Sequence, residues 1–279
     1  MYKGNKQQGK KQGRIERKFE ELRESGQSAL VVYITGGDPD VKRSFAVAGA
    51  VEEAGGDILE LGIPFSDPLA DGPVIQAAST RALRAGTTVE LLLEGLREFR
   101  RHSEIPVVLF TYLNPIFVYG MERFFMDAEE AGADGVLILD LPPEEERQMG
   151  GELRFGGLRR IRLVAPTTTE ERIKRICQKA DGFVYYVSRE GVTGEREDLA
   201  AGLGERISLL KQYARVPICV GFGISSSEQV AAVARVADGV VVGSAVVRRV
   251  EEFGCSTNLE GEIRKFITPL AKAAHEKSF

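Results

Sequence analysis

Short apolar segments recur along the chain, and segments with helical periodicity separate them. Four of them share one plan, in which Ala or Gly ends a helix, Asp and usually Gly form a turn, and a strand follows: GGDILELG at 55–62, ADGVLILD at 133–140, ADGFVYYVS at 180–188 and ADGVVVGS at 237–244. Four further apolar runs precede or separate them: ALVVYI at 29–34, PVVLFTY at 106–112, IRLVAP at 161–166 and PICVGFG at 217–223. The pattern therefore predicts eight strands.

The predicted strands are apolar at consecutive positions, which indicates that both of their faces are buried. Strands of this kind form parallel sheets covered by helices. Eight strand–helix units close naturally into a barrel; the alternative is an open doubly wound sheet, but no strand leads into GxGxxG. We predict an α/β fold, a single (β/α)8 TIM barrel at 14–279 with an extra N-terminal helix at 14–25, whose Ile15, Phe19 and Leu22 share one face.

Two stretches interrupt the regular alternation of strand and helix. Residues 144–160 should contain a helix, but the glycine-rich segment 149–157 weakens it, so we expect a short or broken helix. Residues 188–206 form a polar, glycine-rich connection that is typical of a lid or a binding loop, and we expect it to become ordered when substrate binds. At a regular boundary, Asp38 is predicted to cap a helix at roughly 40–54, with Pro39 at its first position.

The composition fits a barrel enzyme of the cytoplasm. The chain has 279 residues, 43% of them hydrophobic, and a net charge of −4 that disfavours a nucleic-acid or membrane surface. No apolar run approaches the roughly 18 residues that span a bilayer. Residues 1–13 are basic without the apolar core of a secretion signal, so we predict a disordered tail. The cysteines lack metal or redox spacing and are predicted to be reduced thiols: Cys177, Cys219 and Cys255.

Chemistry in such a barrel takes place at the carboxyl ends of the strands, so the residues there limit the mechanism. No lysine lies at a predicted strand end, which argues against a Schiff-base aldolase. His102 lies before the third strand and His275 in the last helix, so we predict no metal site. Carboxylates, hydroxyls and tyrosines remain, and they point to proton transfer and hydrogen bonding.

Two carboxylates are candidates for this chemistry. Glu60 ends the second strand and Asp71 lies in the loop beyond it, and carboxylates in different surroundings can hold different protonation states. Asp67 could cap the same loop or meet a partner, and Asp140, after the fourth strand, could be catalytic or cap a turn. Six residues near strand ends are compatible with core packing singly but predict an aromatic pocket together: Tyr33, Phe110, Tyr112, Leu137, Val164 and Tyr185.

Glycine-rich loops follow the seventh and eighth strands. The first, at 221–224, leads into Ser225 and Glu228, which have the spacing of a capping box, and Gly243 and Ser244 form the second. Loops that open helix N-termini at these places commonly bind phosphate in barrels. The alternative is that the glycines only permit tight turns, but the presence of both loops favours a phosphate site.

Several motifs closely resemble those of the tryptophan synthase α subunit family: LELGIPFSDPLADGP at 59–73, GGDP at 36–39, SREGVTG at 188–194, VGFGIS at 220–225 and GSAVV at 243–247. The resemblance covers the chain from about residue 14 onward. It implies retro-aldol cleavage of indole-3-glycerol phosphate to indole and glyceraldehyde 3-phosphate in tryptophan biosynthesis. Within it, Glu60 matches the general acid/base, and Asp71 matches the carboxylate that accepts a hydrogen bond from the indole N–H.

The same resemblance implies the surroundings of the reaction. Tyr185 matches an active-site tyrosine, and Thr193 lies in the mobile loop after the sixth strand. Backbone N–H groups would hold the phosphate around Gly194, Gly223, Gly243 and Ser244. The chain would carry no cofactor, because pyridoxal phosphate would belong to a partner β subunit that receives the indole in an α2β2 complex. Pro64 and Asp67 would help to face that partner.

Two other functions stay open from the sequence. A sugar-phosphate isomerase would also use a phosphate-binding barrel, but it has no use for an apolar aromatic wall. A barrel that only binds and activates a β-type partner would leave its own site idle, and the intact Glu60 and Asp71 argue against that function.

Overall fold

The strands form one parallel sheet. The computed structural model describes residues 12–148, 155–188, 196–221 and 223–276. Within them lie nine strand segments: β1 (Ala29–Thr35), β2 (Ile58–Gly62), β3 (Val107–Thr111), β4 (Gly135–Ile138), β5 (Arg159–Arg160), β6 (Arg162–Val164), β7 (Val184–Val187), β8 (Ile218–Gly221) and β9 (Gly239–Val242). Their order in the sheet is β5-β4-β3-β2-β1-β9-β8-β7-β6.

The two ends of this sheet are consecutive in the chain, which closes it into a barrel. Only Ile161 separates β5 from β6; β5 pairs with β4, and β6 pairs with β7. The two short segments therefore occupy one place in the ring. Counted in this way, the ring has the eight predicted strands, and the prediction of a TIM barrel is confirmed.

Twelve helices accompany the strands in the described residues: α1 (Arg14–Glu24), α2 (Val41–Glu53), α3 (Pro73–Arg84), α4 (Val89–Phe99), α5 (Leu113–Tyr119), α6 (Met121–Glu130), α7 (Pro143–Gln148), α8 (Glu170–Cys177), α9 (Arg196–Tyr213), α10 (Ser227–Ala234), α11 (Ser244–Phe253) and α12 (Leu259–His275). Among these helices, none is sufficiently long and apolar to cross a membrane. The helix predicted at 14–25 is α1, as expected from its apolar spacing.

Alternate residues of each strand face two different apolar layers, as the side-chain period of a strand requires. In β1, Leu30 and Val32 belong to the layer between the sheet and the helices, whereas Val31 faces the barrel interior. In β2, Leu59 belongs to the outer layer and Ile58 to the interior. Both faces of these strands are buried, which explains why their sequences are continuously apolar.

The aspartates of the repeated turns fasten neighbouring strands at the amino end of the barrel. Asp57 Oδ2 accepts a hydrogen bond from the backbone N–H of Leu30 at 2.8 Å. Asp134 Oδ2 and Asp238 Oδ2 do the same for Val107 and Ile218, both at 2.9 Å. Each aspartate thus satisfies a backbone donor at the start of the adjacent strand, and this contact explains the recurrence of Asp in the repeat.

Helix α1 closes the amino end of the barrel. Its three buried residues, Ile15, Phe19 and Leu22, belong to the same apolar cluster as the interior strand residues. The rings of Phe19 and Phe183 lie 5.9 Å apart, so the helix packs against the start of β7. The extra helix therefore extends the core and lies at the end of the barrel opposite the strand ends where chemistry is expected.

Two predicted caps are wrong by one or two residues. The N-cap of α2 is Asp40, whose side chain accepts from Arg43 N, because Asp38 binds Arg81 instead. The capping box of α10 joins Ser226 and Gln229, one position after the predicted pair. Three consecutive serines, at 225–227, lie at the start of α10, so local sequence alone does not distinguish them.

The two irregular stretches lie partly outside the described residues. Helix α7 is described from Pro143 to Gln148, and the prediction of a short or broken helix at 144–160 depends on residues 149–154, which are not described. Of the connection predicted at 188–206, residues 196–206 are part of helix α9, and residues 189–195 are not described. Of the predicted tail, residues 1–11 lie outside the described part.

Phe19→Ala should destabilise the folded chain by about 3 kcal/mol or more, because it removes a buried ring from the closed end of the barrel. Urea unfolding measures the change. Arg17→Ala, on the exposed side of the same helix, should change the free energy of unfolding by no more than about 0.5 kcal/mol. Equal effects of the two substitutions would show that α1 is not part of the core.

Candidate active site

Glu60 lies in the middle of β2 and is completely buried. Tyr33 of β1 and Val108 of β3 are its register partners on either side. Neither carboxylate oxygen has a hydrogen-bond partner among the described residues. A buried polar group without a partner is costly, so its presence in the sheet points to a role in binding or chemistry.

Burial raises the pKa of Glu60 from its ordinary value of 4.5 to about 8. The cause is desolvation, which disfavours the charged form of the carboxyl group. At neutral pH the group therefore carries a proton that it can give up without a large energetic cost. A carboxyl group in this condition suits general acid and base catalysis.

Asp71, the second carboxylate, lies in the loop between β2 and α3 and has different surroundings. Burial raises its pKa to about 6, and a hydrogen bond with the hydroxyl of Tyr112 acts in the opposite direction. The same hydroxyl accepts a hydrogen bond from the backbone N–H of Ala70 at 3.0 Å. Tyr112 thus holds the Asp71 loop in place and favours the charged form of its carboxylate.

Tyr33 and Phe110 form an aromatic corner beside the two carboxylates. Their ring centroids lie 5.1 Å apart, with the planes at 73°. The pKa of Tyr33 is raised, first by burial and then by the charges of Asp71 and, to a smaller extent, Glu60. Both carboxylates are therefore within electrostatic reach of one phenol.

Tyr185 of β7 extends the aromatic surface across the barrel. Its pKa is raised well above the ordinary value, chiefly by burial and next by the charge of Glu60. Leu137, Phe110 and Tyr185 all belong to the cluster in the barrel interior. Four strands thus contribute the described members of the predicted wall: Tyr33, Phe110, Leu137 and Tyr185.

Two glycines make room for the tyrosine rings. A Cβ atom at Gly62 would lie 2.7 Å from Cζ of Tyr33, and one at Gly221 would lie 3.0 Å from Cζ of Tyr185. Real Cβ atoms essentially never lie within 3.0 Å of another heavy atom, so the Tyr33 ring occupies the space that a side chain at Gly62 would need; at Gly221 the Tyr185 ring shares that space with Cβ of Val241, 2.9 Å away. The two glycines therefore fix where the rings lie.

One predicted wall residue faces the wrong way. Val164 belongs to the layer between the sheet and the helices, not to the interior. Its neighbour Leu163 is the register partner of Tyr185 and, like Ile161, has interior parity on the strand. Leu163 and Leu139, which packs against the interior cluster, are residues that the sequence reasoning missed; counting strand parity from Ile161 would have identified the first.

The glycine loops lie at the start of two helices. Gly243 is the N-cap of α11, and the backbone N–H groups of Val246 and Val247 both donate to its carbonyl. The N–H groups of Ser244 and Ala245 precede these bonds and lie in the turn where helices bind anions. A Cβ atom at Gly243 would be 3.4 Å from Cβ of Tyr33, so this turn adjoins the aromatic corner.

The second glycine loop has a different geometry. Gly223 has a positive φ of 69°, in the region that favours glycine. Gln229 Oε1 accepts hydrogen bonds from the backbone N–H groups of Ser225, at 2.8 Å, and Ser226, at 3.2 Å. These donors therefore already have a partner, whereas α11 presents its first turn. Two further candidates, Thr193 and Gly194, lie outside the described residues.

The remaining acidic and loop candidates have structural positions. Asp140 Oδ1 accepts a hydrogen bond from the backbone N–H of Leu113, at 2.7 Å, and so caps α5; of the two roles left open for it, turn-capping has this support. Asp67 is exposed. Pro64 is buried, and its role in facing a partner stays a prediction. No group of three or more His, Cys, Asp or Glu residues that could hold a metal occurs in the described parts of the chain.

A family model described as "Tryptophan synthase alpha chain" matches residues 19–276. The chain belongs to the tryptophan synthase alpha chain family. A relative with this name from Geobacter sulfurreducens is 46% identical over 260 residues, which are 93% of this chain and 98% of the relative. Another, from Desulfatibacillum aliphaticivorans, is 50% identical over 238 residues, or 85% and 90% of the two chains.

Solved structures of tryptophan synthase subunits share the fold. The alpha subunit from Legionella pneumophila has a TM-score of 0.86 at 38% identity and covers 95% of this chain and 99% of its own. A chain of tryptophan synthase from M. tuberculosis has a TM-score of 0.83 at 34% identity, with the same coverage of both chains. As a tryptophan synthase alpha chain, the protein is a carbon–carbon lyase of tryptophan biosynthesis, and its family implies a beta-subunit partner.

Glu60→Gln should make this tryptophan synthase alpha chain more stable than the wild type as pH rises. The folded wild type binds the Glu60 proton more tightly than the unfolded chain, so this contribution to stability is lost between pH 4.5 and about 8. Across that window the difference in unfolding free energy should move in favour of the variant by on the order of 4 kcal/mol. Urea unfolding at several pH values measures it, and parallel profiles would contradict the assigned pKa.

Proposed function

We propose that the chain cleaves indole-3-glycerol phosphate to indole and glyceraldehyde 3-phosphate, with Glu60 as the acid and base. The protonated carboxyl group gives its proton to the indole carbon that carries the side chain. The resulting carboxylate takes the proton of the side-chain hydroxyl as the carbon–carbon bond breaks and the aldehyde forms. Glu60 is then protonated again, so one residue completes the cycle. The observation that carries this proposal is its buried, unpartnered carboxyl group with a pKa of about 8.

Asp71 is proposed to stabilise the intermediate. Protonation of the ring carbon puts positive charge on the indole nitrogen, and a carboxylate that accepts a hydrogen bond from its N–H would offset that charge. This role requires the charged form of Asp71. Its hydrogen bond with Tyr112 favours that form, and its pKa of about 6 lies below neutral pH. The two carboxyl groups would thus hold opposite protonation states in the same site.

The aromatic wall and the first turn of α11 are proposed to bind the two ends of the substrate. The flat indole would lie among Tyr33, Phe110, Tyr112, Leu137 and Tyr185, and Thr193 is a further proposed substrate contact. The phosphate would accept hydrogen bonds from backbone N–H groups at Gly243 and Ser244, assisted by Gly223 and Gly194. The position of the first turn of α11 supports this proposal. A Cβ atom at Gly243 would lie 3.4 Å from Cβ of Tyr33, so this turn is beside the aromatic corner of Tyr33 and Phe110.

Glu60→Gln should lower kcat for indole release by about 10²–10⁴-fold, because glutamine cannot exchange the proton. Substrate affinity should change little, since the variant has nearly the same size. Asp140→Asn is a matched control: it alters a carboxylate that caps a helix on the same face and should retain kcat within about tenfold. Indole release from the isolated chain measures both. Substantial cleavage by Glu60→Gln would contradict the assignment.

A partner beta subunit is proposed to carry pyridoxal phosphate and to receive the indole in a cytoplasmic α2β2 complex. Within this chain, residues 14–279 are proposed to form one catalytic domain that follows an N-terminal tail at 1–13. An exposed apolar surface supports a docking face. Leu69, in the loop with Asp67, is 84% exposed, and Phe117 and Val118 of α5 are 65% and 77% exposed. Such residues mark interaction sites when they cluster. Tyr112 links the two elements, since it bonds to Ala70 and directly precedes α5.

Phe117→Asp should weaken binding of the beta subunit by about tenfold or more, because a charge would replace an apolar side chain at the proposed interface. Met126→Asp is a matched control on α6, where the methionine is 60% exposed. It should change the affinity by less than about threefold if α6 lies outside the interface. Calorimetric titration with the beta subunit measures both, and equal losses would exclude a docking face centred on α5.

A further inference from the structure

Arg81 of α3 joins three elements through one guanidinium group. Its Nε and Nη2 atoms donate to the two carboxylate oxygens of Asp38, at 2.9 and 2.8 Å. Its Nη1 atom donates to Glu251 Oε1 at 2.9 Å. Asp38 lies in the loop between β1 and α2, and Glu251 lies on α11. A single side chain therefore ties α3 to a barrel loop and to a second helix.

The two branches of this contact differ in strength. The Asp38 side chain is only 2% exposed, and it is held by both arms of the guanidinium, the strongest geometry for such a pair. The Glu251 side chain is 52% exposed, so water and salt screen its attraction to Arg81. Asp38 therefore fixes the position of the Arg81 side chain, and Arg81 in turn holds α11 through its bond to Glu251.

The two helices joined by Arg81 both begin at the site. Helix α3 starts at Pro73, two residues after Asp71, and α11 starts at Ser244, directly after Gly243. Their first turns meet beside Tyr33, in a small apolar cluster that also contains Val74, Ile75, Ala78, Phe110 and Val247. The carboxylate end and the phosphate end of the proposed substrate site are thus the starts of two packed helices.

Arg81 and Glu251 continue that packing one turn farther from the site. Arg81 follows Ala78 by three residues and Glu251 follows Val247 by four, which are the spacings of one helix face. Because a helix moves largely as a rigid rod, a shift between α3 and α11 at this level would also shift their first turns. The ion pair is therefore placed to hold the distance between the two starts.

We infer that Arg81 is a positioning residue that sets the span between the indole end and the phosphate end of the site. The inference rests on the proposed function. A ligand with two ends gains affinity from binding both at once only when the spacing of the two subsites matches its length. Small errors in position also lower the rate of the chemical step. Arg81 should consequently matter for two-ended ligands and not for either end alone.

Arg81→Lys tests this inference, because lysine keeps the charge but cannot form the fork with Asp38 and reach Glu251 together. The probes are indole, inorganic phosphate, and an indole joined to a phosphate by a three-carbon chain. The chain contains no Trp, so indole fluorescence reports binding directly, and phosphate is measured by competition. We expect the joined ligand to bind about tenfold more weakly to the variant, with indole and phosphate each within about twofold of wild type.

Arg100→Lys is the matched control. Arg100 pairs with Asp134 at 2.8 Å, and both side chains are 9% exposed, but this pair lies at the amino end of the barrel. It should cost stability without changing the ratio between the joined and the separate ligands. Glu251→Gln serves if Arg81→Lys does not fold, because it releases α11 and leaves the Asp38 pair intact. It should weaken the joined ligand in the same direction, by a smaller factor.

Three outcomes would overturn the inference: an unchanged affinity for the joined ligand, an equal loss for one separate end, or the same pattern in Arg100→Lys. Failure of the wild type to bind the joined ligand would instead overturn the proposed function. The two failures are thus distinguishable. A rise in KM that exceeds the fall in kcat would further support a positioning role.

Discussion

The interior of the barrel contains a carboxyl group that water does not reach and no described residue contacts by a hydrogen bond. A charge in that position is expensive, so the group at Glu60 exists at neutral pH mainly as an acid. The surrounding tyrosines do not relieve this condition, because neither carboxylate oxygen of Glu60 accepts a hydrogen bond from a described residue. Asp71 differs from Glu60, because it lies nearer the surface and its carboxylate has a hydrogen bond with the hydroxyl of Tyr112. The difference between the pKa values of the two carboxyl groups therefore depends on how deeply each group is buried in the barrel.

The amino end of the barrel has the opposite character. There the aspartates of the repeated turns accept backbone N–H groups, ion pairs such as Arg100 with Asp134 are closed, and α1 fills the interior. The three aspartates Asp57, Asp134 and Asp238 have partners at that end, as stability requires. At the carboxyl end, the carboxyl group of Glu60 has no hydrogen-bond partner among the described residues, and the first turn of α11 is open. A site with unsatisfied groups is tolerated because the rest of the structure is consistent with the fold at every level.

The sequence predicted the strands well because burial on both faces leaves a strong, continuous signal in each of them. It also singled out Glu60 as a candidate, since a carboxylate inside such a run is conspicuous. The same continuity hides the direction of each side chain: Leu163 and Val164 are both apolar, and only the register with β7 shows that Leu163 faces inward. The cap of α2 failed for a non-local reason, because Asp38 is bound by Arg81, 43 residues away. Contacts that decide between adjacent candidates come from distant parts of the chain.

Gly62 and Gly221 shape the pocket because they have no side chain. Each leaves the space that a tyrosine ring from the neighbouring strand occupies, so the ring and the glycine are one inherited unit. A lineage that altered the ring could accept a side chain at the glycine, and the reverse order would be blocked by collision. Substitutions at Tyr33 and Gly62 should therefore covary among relatives; at Gly221 a side chain would still meet Cβ of Val241, 2.9 Å away, whatever the residue at position 185. Past changes in the shape of the pocket would then appear among relatives as paired substitutions on adjacent strands.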